Sequence, residues 1–254
     1  MTTIFKSMLL TSLRDKITLF YSALLPIGLL MGLGFYFDNT TYTPRLLTGV
    51  IALSSLFWGL SGIAFQVHWQ RSRGVYKLLK LTPLPTIHFI FFMTIARTIL
   101  GIFINLLILA TGMVLLEQSI SVMEFFLGTI VMFIGILCFT CFGFLVSNFA
   151  NNEGQINMIS NLFFFPMIFG SDTFYSLENA PAWVVKMGEI FPFSHYLHAL
   201  RASYGMTTDS LGKPLIILVL YTIALLVLAS FTFKWEANSH LQAKKVRSNK
   251  GSVV

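Results

Sequence analysis

From Met123 to Phe149 the chain reads MEFFLGTIVMFIGILCFTCFGFLVSNF, and Glu124, at its edge, is the one charge in it. At 1.5 Å per residue a helix of this length measures about 40 Å, more than the roughly 30 Å of a bilayer's hydrocarbon core. A helix on the surface of a soluble protein keeps a charged face, and this run has none. Five further apolar runs flank it: Ile17–Phe37, Leu46–Val67, Ile87–Leu116, Ile156–Phe169 and Pro214–Phe233. The run from Ile156 is short, so reading it as a span requires a start nearer Asn152 or an irregularity at Pro166.

Composition agrees. Of 254 residues, 56% are hydrophobic and only 11% charged, against a usual charged share near 25%, and the mean hydropathy is +0.77. A soluble globule could not cover its surface with so few charges. The sequence therefore predicts an all-α polytopic membrane protein with six transmembrane helices. Residues 1–254 read as a single transmembrane domain. Residues 1–16 carry Ile4, Phe5, Met8, Leu9 and Leu13 on one helical side, which suits an amphipathic helix at the membrane interface. The start does not read as a secretory signal, since the first apolar run is too long and no small-residue cleavage site follows it.

The formal net charge of +7 would suit nucleic acid if it were clustered on a soluble face. Its distribution argues otherwise. With the N-terminus placed in the cytoplasm, twelve of the seventeen Lys and Arg residues fall inside: Lys6, Arg14, Lys16, Arg71, Arg73, Lys77, Lys80, Lys234, Lys244, Lys245, Arg247 and Lys250. Seven of the ten acids fall outside. This is the positive-inside pattern. It places both termini in the cytoplasm, in a multi-pass protein of the cell (plasma or inner) membrane whose immediate partner is the lipid bilayer and not nucleic acid.

On a helical wheel, polar and small residues gather on single faces. Thr48, Ser55, Gly59, Gly62 and Gln66 share one in the second span; Thr94, Arg97, Thr98, Gly101 and Asn105 share one in the third. Glu153, Asn157, Ser160 and Asn161 do so in the fifth, and Gly28 and Gly32 form a G-x-x-x-G in the first. Small residues and interhelical hydrogen bonds mark where membrane helices meet, so these stripes read as packing faces or as a polar path. Arg97 either snorkels to the headgroups or is buried and paired, because a charge within a span is costly otherwise.

Enzyme chemistry is thin. The chain has no P-loop, no H-E-x-x-H and no G-x-S-x-G. His195 and His198 lack further ligands at metal-site spacing, and Cys138-x-x-Cys141 falls mid-span, where it reads as packing. Asn39-Thr40-Thr41 matches a glycosylation sequon too short to carry weight. No metal site, no cofactor and no catalytic residue is expected on the chain itself.

Two stretches carry a resemblance. The first is Arg71-Ser-Arg73-Gly74-Val-Tyr-Lys77-Leu78-Leu79-Lys-Leu-Thr82-Pro83-Leu84. It resembles the loop between spans two and three of ABC type-2 exporter permeases, commonly R/E-x-x-G-T-x-K-x-L-x-x-T-P-L. The second runs Phe165-Pro166-Met-Ile-Phe-Gly170-Ser171, then Phe174-Tyr175, Pro181-Ala-Trp183, Phe191-Pro192-Phe-Ser-His-Tyr196 and Arg201. It is similar to that family's pattern after span five: Pro, a small residue, an aromatic pair, P-x-W, P-x-x-Y and a closing Arg, with one residue more between Pro192 and Tyr196 than that pattern has. The chain departs from the family at Gln70 and Ser72, where Glu often stands.

The resemblance implies that residues 68–86 form a coupling helix that meets a cytoplasmic ABC ATPase subunit. Arg71, Arg73, Gly74, Lys77, Leu78, Leu79, Thr82 and Pro83 would carry the contact. The residues alone allow a second reading, a basic loop resting on anionic headgroups. Residues 171–212 would form short re-entrant helices outside, built around Pro181, Trp183, Pro192, Tyr196 and Arg201. The bland alternative is a pair of interfacial helices, and residues 234–254 read as a polar cytoplasmic tail. A second permease copy or a paralogue would complete the transporter, with ATP and Mg on the partner subunit. The family's cavity lies at the dimer axis between spans two and five, which carries over to Ser55, Gly59, Gly62, Asn157, Asn161 and Phe164. An apolar cavity with a few amides suits export of an amphiphile: a drug or antibiotic, a bacteriocin-like peptide or a lipid. The rival is an ATPase-independent secondary transporter or a membrane scaffold.

Overall fold

The structure, a computed structural model, describes residues 16–37, 42–76, 86–117, 119–177, 180–207 and 210–233, and every regular element among them is helical. The amphipathic helix expected over 1–16 lies outside the described residues except for Lys16, as do the tail from residue 234 and the stretch 77–85.

Eight helices follow one another among these residues. Helix α1 runs Lys16–Leu19, a π-helical turn Phe20–Leu24, then Leu25–Tyr36. Helix α2 runs Tyr42–Leu56, a π-helical turn Phe57–Gly62, then Ile63–Ser72. Next come α3 (Thr86–Leu115), α4 (Val122–Phe149), α5 (Glu153–Phe169), α6 (Ala182–Ile190), α7 (Pro192–Ser203) and α8 (Gly212–Thr232). Four segments are long and apolar enough to cross a membrane: Tyr42–Ser72, Ile87–Leu115, Val122–Phe149 and Gly212–Thr232. The apolar helix Phe20–Tyr36 is shorter, and α5 has 17 residues, so the first and fifth of the six expected spans fall short of that length.

Local chemistry sets the boundaries. Ser121 and Glu124 form a reciprocal capping box that starts α4: Glu124 N–H donates to Ser121 Oγ (3.3 Å) and Ser121 N–H donates to Glu124 Oε2 (2.8 Å). Asn152 caps α5, accepting from Gln155 N–H at 2.9 Å. Of the two readings open to the fifth run, the earlier start holds, since Asn152 caps α5, and the α-helix continues through Pro166 in its last turn. Pro192, whose missing N–H costs nothing in a first turn, opens α7 after the break at Phe191.

Helix α2 is the central post. Its apolar window is 94% buried, against 22% for α8, and between Leu46 and Ala64 every residue but Phe57 is buried. It meets α4 backbone to backbone. A Cβ on Gly59 would lie 2.9 Å from the Phe139 carbonyl carbon and the Thr140 nitrogen, and Gly143 faces the Gly59 and Leu60 carbonyls. Such close approach between small residues is how membrane helices gain dispersion energy without a hydrophobic drive between them. A π turn inserts one residue into the helical repeat, and that of α1 is tied to α2 just before its own π turn, with Ser54 Oγ donating to Ser22 O at 2.6 Å. A smaller apolar cluster, which includes Ile63, Val67, Tyr76, Phe89, Phe144 and Ala229, closes the Arg71 end of the bundle.

Candidate functional site

At the Arg71 end, α2 stops at Ser72 and Gly74 takes φ +74°, the left-handed region open to glycine. Beyond this turn Tyr76 is fully buried and packs edge-on against Phe89, with ring centroids 5.3 Å apart. Burial pushes its hydroxyl far above the ordinary tyrosine value, so it stays protonated and donates to Gln70 Oε1 at 2.7 Å. Arg73 is exposed and lies over the Trp69 ring, 3.9 Å from its centroid. Arg71, expected to touch a partner, is instead turned inward and 5% exposed. It donates to Ser147 O (2.8 Å) and to Asn148 Oδ1 (3.0 Å), which caps the carbonyl end of α4. Lys77, Leu78, Leu79, Thr82 and Pro83 lie outside the described residues.

Deeper in the bundle, Arg97 does not snorkel. It is 1% exposed. Its guanidinium lies 4.1 Å over the Trp58 ring, donates through Nη1 to Gln66 Oε1 and reaches Trp58 O at 3.5 Å, while Trp58 Nε1 donates back to Arg97 O at 2.9 Å. Gly62 leaves the space that this side chain and Thr18 occupy, and Gly101 leaves that for the Trp58 indole. The other polar groups of the α3 stripe bond within their own helix: Thr94 to Ile90 O (3.0 Å), Thr98 to Thr94 O (2.8 Å) and Asn105 to Gly101 O (2.9 Å). Packing, and not an open polar path, is what this stripe builds.

The residues expected along a cavity divide. Ser55 is buried, its hydroxyl 2.8 Å from Tyr196 Oη, and Gly59 and Gly62 pack on α4 and α3, so these three face the interior of the protomer. Asn157, Asn161 and Phe164 lie on α5, where Asn157 is exposed and Asn161 half-buried. Asn161 Nδ2 donates to Asn157 Oδ1 at 3.1 Å, which makes a short amide ladder beside the exposed Met158 and Leu162. Phe164 meets Phe57 edge-on (6.1 Å), and Phe57 meets Tyr21 of α1 (5.2 Å). An aromatic seam therefore runs from α1 across the π turn of α2 to α5.

At the opposite end, Asp172 gathers two arginines. Arg201, 5% exposed, donates to its Oδ2 at 2.8 Å and to its main-chain carbonyl, and Arg45 reaches Oδ2 at 3.4 Å. Burial pulls the Arg201 pKa down from its ordinary value, and the Asp172 carboxylate works against that shift. Pro181 precedes α6, where Trp183 is exposed, while Pro192 and Tyr196 are buried at the base of α7. Gly188 lets α6 settle on the Gly170 carbonyl that ends α5.

A family model described as ABC-2 type transporter matches residues 1–204. The chain belongs to that family. No curated protein matches it. The ABC-2 match spans α1 to α7 and makes the chain a multi-pass permease component of an ABC transporter, a transport subunit of a family whose membrane domains are generally not catalytic themselves. Four features of this permease escaped the sequence reading: the Tyr21–Phe57 end of the seam, Tyr76, Asn148 and Asp172. Asp172 stands 29 positions from Arg201, and no local pattern links them. Asn148 could have been noticed as an amide at the last turn of an apolar run.

Proposed function

We propose that this permease works as a homodimer or heterodimer with separate cytoplasmic ATPase subunits and exports an amphiphilic molecule: a drug, a peptide such as a bacteriocin, or a lipid. Six spans, both termini inside, put the Arg71 end in the cytoplasm and the Asp172 end outside. ATP and Mg bind the partner subunits. Their closure moves the loop around Gly74 to Pro83, and the bundle opens outward between two copies. Substrate must then bind the inward state better than the outward one, because a ligand shifts an equilibrium only by its differential affinity. Helices α6 and α7 act as short re-entrant helices over the exit.

The observation that carries this reading is the uncovered amide ladder on α5. Two amides beside the exposed apolar side chains Met158, Leu162, Phe165 and Phe169 of the same helix are costly against lipid tails. They suit a cavity that holds water or an amphiphile at a subunit interface. The test is co-purification of the tagged chain in mild detergent, with mass spectrometry and an ATPase assay, beside a Gly74→Pro, Leu78→Asp double variant. Proline fixes φ near −65° and cannot adopt the Gly74 turn. The reading expects an ABC ATPase with the parent chain and its loss from the variant. A single-chain oligomer without ATPase would sink it.

A further inference from the structure

The buried arginine at the end of α2 does not stop at α4. Asn148, the acceptor of Arg71 Nη2, is 1% exposed, and its own amide donates to Ala229 O (3.1 Å) and Thr232 Oγ1 (3.1 Å) in the last turn of α8. Arg71 also lies 5.7 Å from the centroid of the Phe233 ring, which packs on Tyr76 (5.6 Å) and Phe144 (6.4 Å). One amide thus accepts from α2 and donates to α8, and a buried aromatic cluster seals the joint. Side-chain amides that serve as both acceptor and donor are the groups able to make such a bridge. Tyr76, two residues past the Gly74 turn, fixes the first residues of the loop to the same cluster.

We infer that Arg71 and Asn148 are positioning residues for coupling: they bind the loop end of α2 to the last turns of α4 and α8, so that displacement of the loop moves all three together. The mechanical part of this inference concerns the tether, and the source of the displacement rests on the reading above. Helix α8 lies at the edge of the bundle and is the least buried of the four long helices. Elsewhere α8 meets α4 mainly through apolar side chains and the Cys138–Thr222 hydrogen bond, so the Asn148 bridge is the polar link at the loop end. With it, motion at Gly74 is passed to α8 by hydrogen bonds as well as by the Tyr76–Phe233 ring contact.

Spin-label distance measurements on the full-length chain in nanodiscs test this. Cysteines replace Ser72 and Phe231 as the α2–α8 pair, Ser72 and Phe149 as the α2–α4 pair, and Ser119 and Ser210 as a reference pair at the far end; all five positions are exposed. The native Cys138 and Cys141 are buried and stay unlabelled. Asn148→Asp still accepts from Arg71 but has no N–H for α8. It is expected to broaden the α2–α8 distribution while the α2–α4 and reference pairs stay narrow. Asn148→Leu is expected to broaden both pairs that include Ser72, with the reference pair again unchanged. An α2–α8 distribution that stays narrow in both variants overturns the inference, and so does equal broadening of the reference pair, which would mark general loosening. Added ATP and vanadate, with the co-purified ATPase present, form a separate arm. A shift absent from the unsubstituted complex counts against the exporter reading, and the tether is judged on the nucleotide-free distributions.

Discussion

A Cβ on Gly59 would press on backbone atoms of Phe139 and Thr140 that have no room to step aside. A Cβ on Gly28 would meet nothing within 4 Å. The same methyl group therefore has opposite consequences at the two sites. Gly59→Ala is expected to destabilise the permease by about 1–3 kcal/mol through overpacking at the α2–α4 contact. Gly28→Ala is expected to be neutral or to gain roughly 0.5–1 kcal/mol, since glycine in a helix interior is less favourable than alanine by that amount. Apparent melting in one detergent, followed by fluorescence-detected size exclusion, compares them, and equal midpoints would refute the packing argument. Both glycines belong to small-residue patterns visible in the sequence. Only their surroundings separate a contact within the protomer from an open face.

At the scale of elements, hydropathy marked α3, α4 and α8 to within a few residues, because apolar runs of this length with a single charge each match a bilayer's hydrocarbon core. It placed the start of α2 late, at Leu46, because the first turn from Tyr42 holds Thr43, Pro44 and Arg45, whose polarity hides a helix start. The π turns at Phe20–Leu24 and Phe57–Gly62 left no trace in composition. They matter for the site, since the second one presents Phe57 to Tyr21 and Phe164. The stripes of α2 and α3 were legible as faces, yet their use as interior packing was not, because periodicity says which residues share a side and not what covers it. The outer end depends on one acid. Asp172→Ala would leave Arg201 buried with main-chain acceptors alone and release Arg45. Allowing for the part exposure of Asp172 and Arg45, the expected cost is about 1–2 kcal/mol. Trp183, next to this segment on α6, should become more accessible to an aqueous quencher. Unchanged melting and quenching would mean that α6 and α7 are held without the Asp172 pair, by contacts such as the Gly170–Gly188 packing, the Ser55–Tyr196 bond, Tyr221 Oη on Ile190 O and Phe139 against Phe193 and Tyr196.

In the whole molecule, α2 links the two ends. Arg45 near its start reaches Asp172, Arg71 at its finish reaches Asn148, and the Arg97–Trp58–Gln66 group grips it between them. A helix held at three levels moves as a unit or not at all, which suits a part that carries displacement from one face of the membrane to the other. The surface that such motion would open is the α5 ladder and the seam beside it. The central claim is thus that Asn161 becomes reachable from outside only when ATP drives the cycle. Asn161→Cys in intact cells, probed with a membrane-impermeant maleimide, tests it directly; the native cysteines are buried and add little background. The account expects labelling in energised cells and strong protection after ATP depletion. Equal labelling in both states would contradict it.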